Sequence, residues 1–254
     1  MWEFCLKSKI VNAILICSLC INIGMAIVLF YVSCFKTDFS YRALAKIGFI
    51  EYDMAKVRHQ IELRCLEGWS NSLSKQYIKT DAVFYGNSIT YESDFQKLYP
   101  QFIISNLGCN RDDLDDLIHR SFLINSVHPR KVFLLGGINS ILDVPIDIFE
   151  QQYMLLVDTI KKQNPSVQLY LQSLLPVNVE MEIGSRYRDC QRKIKEANAI
   201  IKNIALSKSC HFVDLFAAYQ INGSMPRKYT RDGLHLYPEA YSIWAQAIYP
   251  YLAE

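Results

Sequence analysis

Residues 81 to 90 read DAVFYGNSIT. Four apolar residues, Ala82 to Tyr85, are followed at once by Gly86, Asn87 and Ser88. A short apolar run that stops at a glycine turn is typical of a strand buried on both faces of a parallel sheet. Taken alone, a serine after glycine is more often a turn residue or helix N-cap than a nucleophile, so the rest of the chain must decide the role of Ser88.

The chain after residue 81 alternates short apolar runs with amphipathic stretches, which predicts an α/β fold with a parallel sheet covered on both faces. Because ligands bind at the carboxyl ends of parallel strands, the residues that follow each run are the candidate site residues. The predicted strands are Ala82–Tyr85, Phe102–Asn106, Lys131–Leu135, Val167–Gln172 and His211–Leu215, and the predicted helices lie within residues 112–125, 146–163, 187–206 and 237–252.

Four polar groups follow these runs or precede the last helix. They contain a hydroxyl, backbone N–H groups beside glycines, a side-chain amide and a carboxylate–imidazole pair, which are the groups that acyl transfer needs. In chain order they are Gly86-Asn87-Ser88, Asn106-Leu107-Gly108-Cys109, Gly136-Gly137-Ile138-Asn139 and Asp232-Gly233-Leu234-His235.

In this order the four groups resemble the conserved blocks of the SGNH, or GDSL-type, hydrolase family, and the resemblance covers residues 77–254. The first block carries Asn87 where aspartate is more usual, and the third carries Ser140 where the family usually has a second aspartate. The resemblance implies a three-layer α/β/α sandwich around a mostly parallel, five-stranded sheet of the flavodoxin-like kind. It leaves the role of Asn87 unassigned.

The resemblance also assigns roles at the matching positions. It implies that Ser88 is the nucleophile, that His235 is the general base and that Asp232 orients the imidazole. The backbone N–H groups of Ser88 and Gly108 and the side-chain amide of Asn139 would form the oxyanion hole. Such a site needs no cofactor and no metal, and none is expected here.

The function that follows is a membrane-anchored serine esterase, with carboxylic esters of glycans or lipids, acetyl esters among them, as small-molecule or glycan substrates. Two alternatives stay open at this point. The same triad would serve an O-acyltransferase that modifies cell-envelope sugars, and the fold would also serve a non-enzymatic module that binds glycans or a partner. Substrate specificity is expected from the loops at residues 176–187 and 222–230, with Tyr85, Tyr91, Tyr229 and Tyr237 beside the site.

The N-terminal part carries a separate signal. Residues 10–35 contain no charged side chain, and a helix needs roughly 20 such residues to cross a bilayer. We therefore expect a short tail (1–9), a transmembrane anchor (10–35), a juxtamembrane helical connector (36–76) and the hydrolase domain (77–254). A signal anchor would place that domain outside the cytoplasm; the alternative is a lipoprotein attached at Cys34, because YVSC partly resembles a lipobox.

Composition excludes several other classes of protein. The formal net charge is +2 and no basic block is present, so nucleic acid is not an expected partner. The acidic cluster of Asp112, Asp113, Asp115 and Asp116 is expected at a helix N-terminus, where negative charge is favourable, rather than in a metal site. Cys65, Cys109, Cys190 and Cys210 are scattered without metal-finger spacing, and the sequence leaves their disulfide pairing open.

Overall fold

The computed structural model of the protein describes residues 79–254, which fall within the second of two compact units, Ile61–Glu254. The predicted tail, membrane segment and connector (1–9, 10–35 and 36–76) lie outside the described residues. Between residues 79 and 254, no helix is both long and apolar enough to cross a membrane.

The sheet has five parallel strands in the order β2-β1-β3-β4-β5, which is the flavodoxin-like order. The predicted parallel α/β fold is therefore confirmed. Strand β1 lies between β2 and β3, so the carboxyl ends of these three strands are neighbours. The strands are β1 (Ala82–Gly86), β2 (Ile104–Gly108), β3 (Lys131–Leu135), β4 (Gln168–Gln172) and β5 (His211–Val213).

Eight α-helices connect and cover the described strands. They are α1 (Ser88–Tyr91), α2 (Phe95–Leu98), α3 (Leu114–Arg120), α4 (Ser140–Asp143), α5 (Ile146–Gln163), α6 (Gln191–Ser207), α7 (Leu215–Tyr219) and α8 (Tyr241–Ala253). Short 3₁₀ segments at Ser121–Val127, Gly184–Cys190, Arg227–Tyr229 and Pro238–Ala240 complete the connections. Each of the four predicted helical stretches overlaps one of the longer helices, and the prediction for 146–163 matches α5 at both ends.

The side chains of β1 show why helices lie on both faces of the sheet. Neighbouring residues of a strand point to opposite faces. Phe84 stacks on Phe95 of α2, with ring centroids 3.7 Å apart, and Phe95 in turn meets Trp244 of α8. Tyr85, on the other face, donates its hydroxyl to Leu117 O of α3 at 2.6 Å. The sheet is thus the middle layer of a three-layer α/β/α arrangement.

A row of rings crosses four strands on the face covered by α2 and α8. Phe84, Phe133, Tyr170 and His211 are paired in register from β1 through β3 and β4 to β5. Their ring centroids are 5.1, 4.6 and 4.5 Å apart in sequence along the row, and each pair is stacked. Because stacked rings lock one strand against the next, the row helps to fix the register that sets the strand ends side by side.

Strand β2 begins two residues later than predicted. Phe102 N–H donates to Tyr99 O at 3.1 Å, so Phe102 belongs to a turn, and the Ile103 side chain is 41% exposed. The predicted start of β2 is therefore wrong. As a consequence, Leu107 and Gly108 lie inside β2 and not in the loop after it.

Candidate active site

Three of the predicted site residues come together in a line of hydrogen bonds. Ser88 Oγ lies 3.1 Å from His235 Nε2, and His235 Nδ1 lies 2.7 Å from Asp232 Oδ2. The line is satisfied when Nδ1 carries the ring proton, because Nε2 then accepts from the serine hydroxyl. Ser88 is 8% exposed, so its hydroxyl is sheltered but within reach of the surface.

Ser88 is placed by the abrupt end of β1. A Cβ atom on Gly86 would lie 2.2 Å from Leu135 O of the neighbouring strand, so no other residue fits there without moving backbone. Asn87 then caps helix α1: its Oδ1 accepts from Ile89 N at 3.1 Å. The sequence left Asn87 without a role, and the structure shows it as the N-cap that makes Ser88 the first residue of the helix.

The two oxygens of the Asp232 carboxylate accept hydrogen bonds from different donors. Oδ2 faces the imidazole, and Oδ1 accepts from the backbone N–H groups of Leu234 at 2.9 Å and His235 at 2.8 Å. Partial burial alone would raise the pKa of Asp232. The hydrogen bonds from His235 and Leu234 outweigh burial and hold the pKa below its usual range. Asp232 is therefore an anion that is already oriented toward the ring.

The loop that carries Asp232 and His235 is fastened by backbone contacts from residues 178–184. Asn178 N–H donates to Gly233 O at 2.8 Å, and Gly184 N–H donates to Asp232 O at 3.0 Å. A Cβ on Gly233 would meet Asn178 O at 2.5 Å, so the two segments approach this closely only because of that glycine. Part of the segment that was expected to set specificity thus supports the triad loop.

The three predicted oxyanion donors differ in whether their hydrogens already have a hydrogen-bond acceptor. The Ser88 N–H is at the first position of α1, where a helix has no internal partner for it. One hydrogen of the Asn139 amide goes to Asp112 O at 2.8 Å, which leaves the second hydrogen. The Gly108 N–H donates to Asn106 Oδ1 at 2.8 Å within β2, so its predicted role would require that bond to be exchanged.

Ser140, which replaces the usual second aspartate of the third block, links two loops of the site. Its Oγ accepts from Leu114 N at 2.9 Å, at the start of α3. Asn139 precedes it as the N-cap residue of α4. The Ser140 hydroxyl therefore links the segment that carries Asn139 to the N-terminus of α3. A neutral hydroxyl acceptor stands at the position where the family usually has a carboxylate.

The acidic cluster at the start of α3 is used within the fold. Asp113 and Asp116 form a capping box, in which each side chain accepts from the other's backbone N–H. Asp112 is buried and pairs with Arg120 at the other end of the helix. The predicted helix N-terminus is confirmed.

Tyrosines that flank the sequence blocks lie in different environments. Tyr85 is fully buried and Tyr229 packs edge-on against Tyr219. Tyr91 is 41% exposed and Tyr237 is 39% exposed. Tyr91 follows Ser88 by three residues and Tyr237 follows His235 by two, so these two are the most exposed of the four flanking tyrosines.

A sheet of parallel strands with a serine, histidine and aspartate at its carboxyl edge defines the class of α/β serine hydrolases. The chain matches the model of the GDSL-like lipase/acylhydrolase family over residues 72–243, and it belongs to that family. It is a serine esterase of the SGNH type. No curated protein sequence matches the chain.

Solved structures show the same fold. A Streptococcus pneumonia structure whose name refers to platelet activating factor is 24% identical, with a TM-score of 0.64 over 79% of this chain and 100% of that one. A GDSL-like lipase from Bacteroides thetaiotaomicron is 20% identical, with a TM-score of 0.60 over 74% and 96%. An acetylxylan esterase from Geobacillus stearothermophilus is 21% identical, with a TM-score of 0.54 over 69% and 94%.

Two features near the site were not found from the sequence. Arg231 pairs with Glu92 at 2.6 Å and so joins the triad loop to the end of α1. Cys109, directly after Gly108, is disulfide-bonded, whereas Cys190 and Cys210 are free thiols. Both features depend on which segments meet in space, and no local pattern signals them.

We expect Asp232→Asn to lower kcat for ester hydrolysis by about 10²- to 10⁴-fold with the fold intact. The amide oxygen can keep the backbone bonds of Oδ1, but an NH₂ group facing Nδ1 favours the imidazole tautomer that cannot accept from Ser88. Steady-state kinetics on p-nitrophenyl acetate measure the loss. The matched control is Asp158→Asn, which removes a surface ion pair with Lys208 and should leave kcat unchanged. Equal activity of the two variants would contradict the role of Asp232.

Proposed function

We propose that the protein hydrolyses carboxylic esters through a Ser88–His235–Asp232 triad. The observation that carries this proposal is the continuous line from Ser88 Oγ to His235 Nε2 (3.1 Å) and from His235 Nδ1 to Asp232 (2.7 Å). A serine hydroxyl becomes nucleophilic only when a neighbouring base takes its proton. The imidazole is at the right distance for that transfer, and an ionised carboxylate stabilises the imidazolium that results.

In the first half of the reaction, Ser88 Oγ attacks the ester carbonyl carbon while His235 Nε2 accepts the hydroxyl proton. The carbonyl oxygen becomes negative and is held by the Ser88 N–H and the second amide hydrogen of Asn139. Gly108 N–H can join them only after it leaves Asn106. His235 then gives its proton to the leaving alcohol, and an acyl group remains on Ser88.

In the second half, a water molecule takes the place of the alcohol. His235 removes a proton from the water as it attacks the acyl carbonyl, and the same donors hold the oxyanion. The acid leaves when Ser88 regains its proton from the imidazolium. Asp232 stays ionised throughout, which agrees with its lowered pKa.

Replacing the nucleophile tests the mechanism. We expect Ser88→Ala to reduce hydrolysis of p-nitrophenyl acetate by about 10³-fold or more, and to abolish labelling by a fluorophosphonate probe. The matched control is Ser207→Ala, since Ser207 is the exposed last residue of α6 and its hydroxyl donates to Ile204 O. Wild-type hydrolysis by the Ser88→Ala protein would show that the proposed nucleophile is wrong.

For the substrate, we propose acetyl esters on glycans. Tyr91 and Tyr237 are exposed tyrosines that follow Ser88 by three residues and His235 by two. Exposed aromatic rings with a polar tip can pack against sugar faces while they hydrogen-bond. A glycan ester is also the substrate named for the structurally similar acetylxylan esterase. That likeness is one of fold, so the two tyrosines are the stronger support.

The substrate proposal predicts a selective effect on KM. Tyr91→Ala with Tyr237→Ala should raise KM for an acetylated oligosaccharide by about 10-fold or more, while kinetics on p-nitrophenyl acetate change by less than about 2-fold. Release of acetate measures hydrolysis, and mass spectrometry with an added sugar acceptor detects transfer. Acetylated acceptor in place of free acetate would assign the chain to acyltransferases. Preference for long-chain lipid esters over the oligosaccharide would overturn the glycan assignment.

We also propose that residues 10–35 anchor the protein in a membrane with the hydrolase domain outside the cytoplasm. The segment has the length and the uncharged composition of a transmembrane helix. The disulfide at Cys109 supports the location, because disulfides persist in oxidising compartments and are rare in the cytosol.

Fractionation tests the anchor. The full chain should stay with membranes after carbonate extraction, and a chain that begins at residue 36 should be released into the soluble fraction. Protease added to intact cells or spheroplasts should digest the domain of the full chain. Release of the full chain by carbonate would contradict the anchor, and protection from protease would contradict the orientation. Membrane retention that is lost only in Cys34→Ser would show lipid attachment instead.

A further inference from the structure

The guanidinium of Arg120 lies buried beneath the ends of β1 and β2, with 3% of the residue exposed. Its Nη1 donates to Leu107 O and its Nη2 donates to Gly86 O, both at 2.8 Å. Its Nε pairs with the carboxylate of Asp112. One planar side chain therefore holds three acceptors from three different segments.

The two carbonyl groups belong to the parts of the chain that lead into the site. Gly86 O is on the peptide unit that precedes Asn87, one residue before Ser88. Leu107 O is on the same peptide unit as the Gly108 N–H. Since Gly86 and Gly108 are paired in register, Arg120 joins the ends of two neighbouring strands at the point where regular pairing stops.

The third acceptor connects Arg120 to the proposed oxyanion donor on the next loop. Asp112 O accepts from Asn139 Nδ2 at 2.8 Å, so the position of Asp112 sets the plane of the Asn139 amide. The Asp112 side chain is itself held by Arg120 and is 0% exposed. A shift of Arg120 would therefore move Asp112 and, through it, the Asn139 amide.

We propose that Arg120 is a positioning residue for the reaction, which orients the Asn139 amide through Asp112. The inference rests on the proposed ester hydrolysis and adds a residue to it. Arg120 itself lies under the sheet edge and is not proposed to touch the substrate.

The surroundings of Arg120 hold its guanidinium in one orientation. Its guanidinium lies 4.3 Å from the ring centre of Tyr85, whose hydroxyl is held by Leu117 O. Burial would lower the pKa of Arg120, but the Asp112 carboxylate outweighs burial and raises it. Arginine presents several donors in one rigid plane, whereas lysine is a single point charge, so a lysine cannot bond to all three acceptors in the same way.

A double-mutant cycle separates positioning from stability alone. Arg120→Lys should lower kcat on p-nitrophenyl acetate by about 30-fold or more with KM changed by less than about 3-fold. In an Asn139→Ala background the same change should cost less than about 3-fold, because the amide that Arg120 orients is already gone. Arg130→Lys is the matched control, since Arg130 is an exposed surface residue paired with Asp81. The kcat of the Arg130→Lys protein should equal that of the wild type.

An equal loss in both backgrounds, or no loss in the first, would overturn the inference. If Arg120→Lys does not fold, Arg120→Met combined with Asp112→Leu is the second variant, because replacing both members of a buried pair by apolar residues can preserve stability. This variant removes the contact by which Arg120 holds Asp112, so wild-type kcat in a folded protein would also overturn the inference. Failure of the esterase proposal is separate: it would show as Ser88-independent hydrolysis in the wild-type background.

Discussion

The parallel pairing of β1 with β2 on one side and β3 on the other is the constraint on which the site depends. Gly86 is in register with Gly108 and with Leu135, so three strands end at the same level. Leu135 O lies so close to Gly86 that no side chain fits on the last residue of β1. Ser88 lies at the edge of the sheet because it follows the end of β1 by two residues.

The base and its carboxylate reach the nucleophile by a different route. Asp232 and His235 belong to a loop and not to a strand, so no sheet pairing fixes them. Backbone hydrogen bonds from Asn178 and Gly184 hold this loop in place instead. Different contacts therefore hold Ser88 and the Asp232–His235 pair. The ion pair between Glu92 and Arg231 links the two segments that carry them.

The sequence predicted the parallel sheet because buried strands leave local patterns. The resemblance to the SGNH family implied the residues that form the hydrogen-bonded line. The apolar pattern misplaced the start of β2, since an exposed Ile103 in a turn is as apolar as one in a strand. The tie between Gly108 N–H and Asn106, and the three acceptors of Arg120, could not be predicted, because each depends on side-chain directions or distant segments.

The charges beneath the site explain why Arg120 acts by geometry. Its positive charge is countered at contact distance by Asp112, so the pair presents little net field to a developing oxyanion. The favourable interactions available to that oxyanion are therefore short hydrogen bonds from donors such as Ser88 N–H and the Asn139 amide, whose strength depends steeply on angle. Hydrogen bonds of this kind help catalysis only when they are oriented in advance, and a rigid fork under the strand ends provides that orientation.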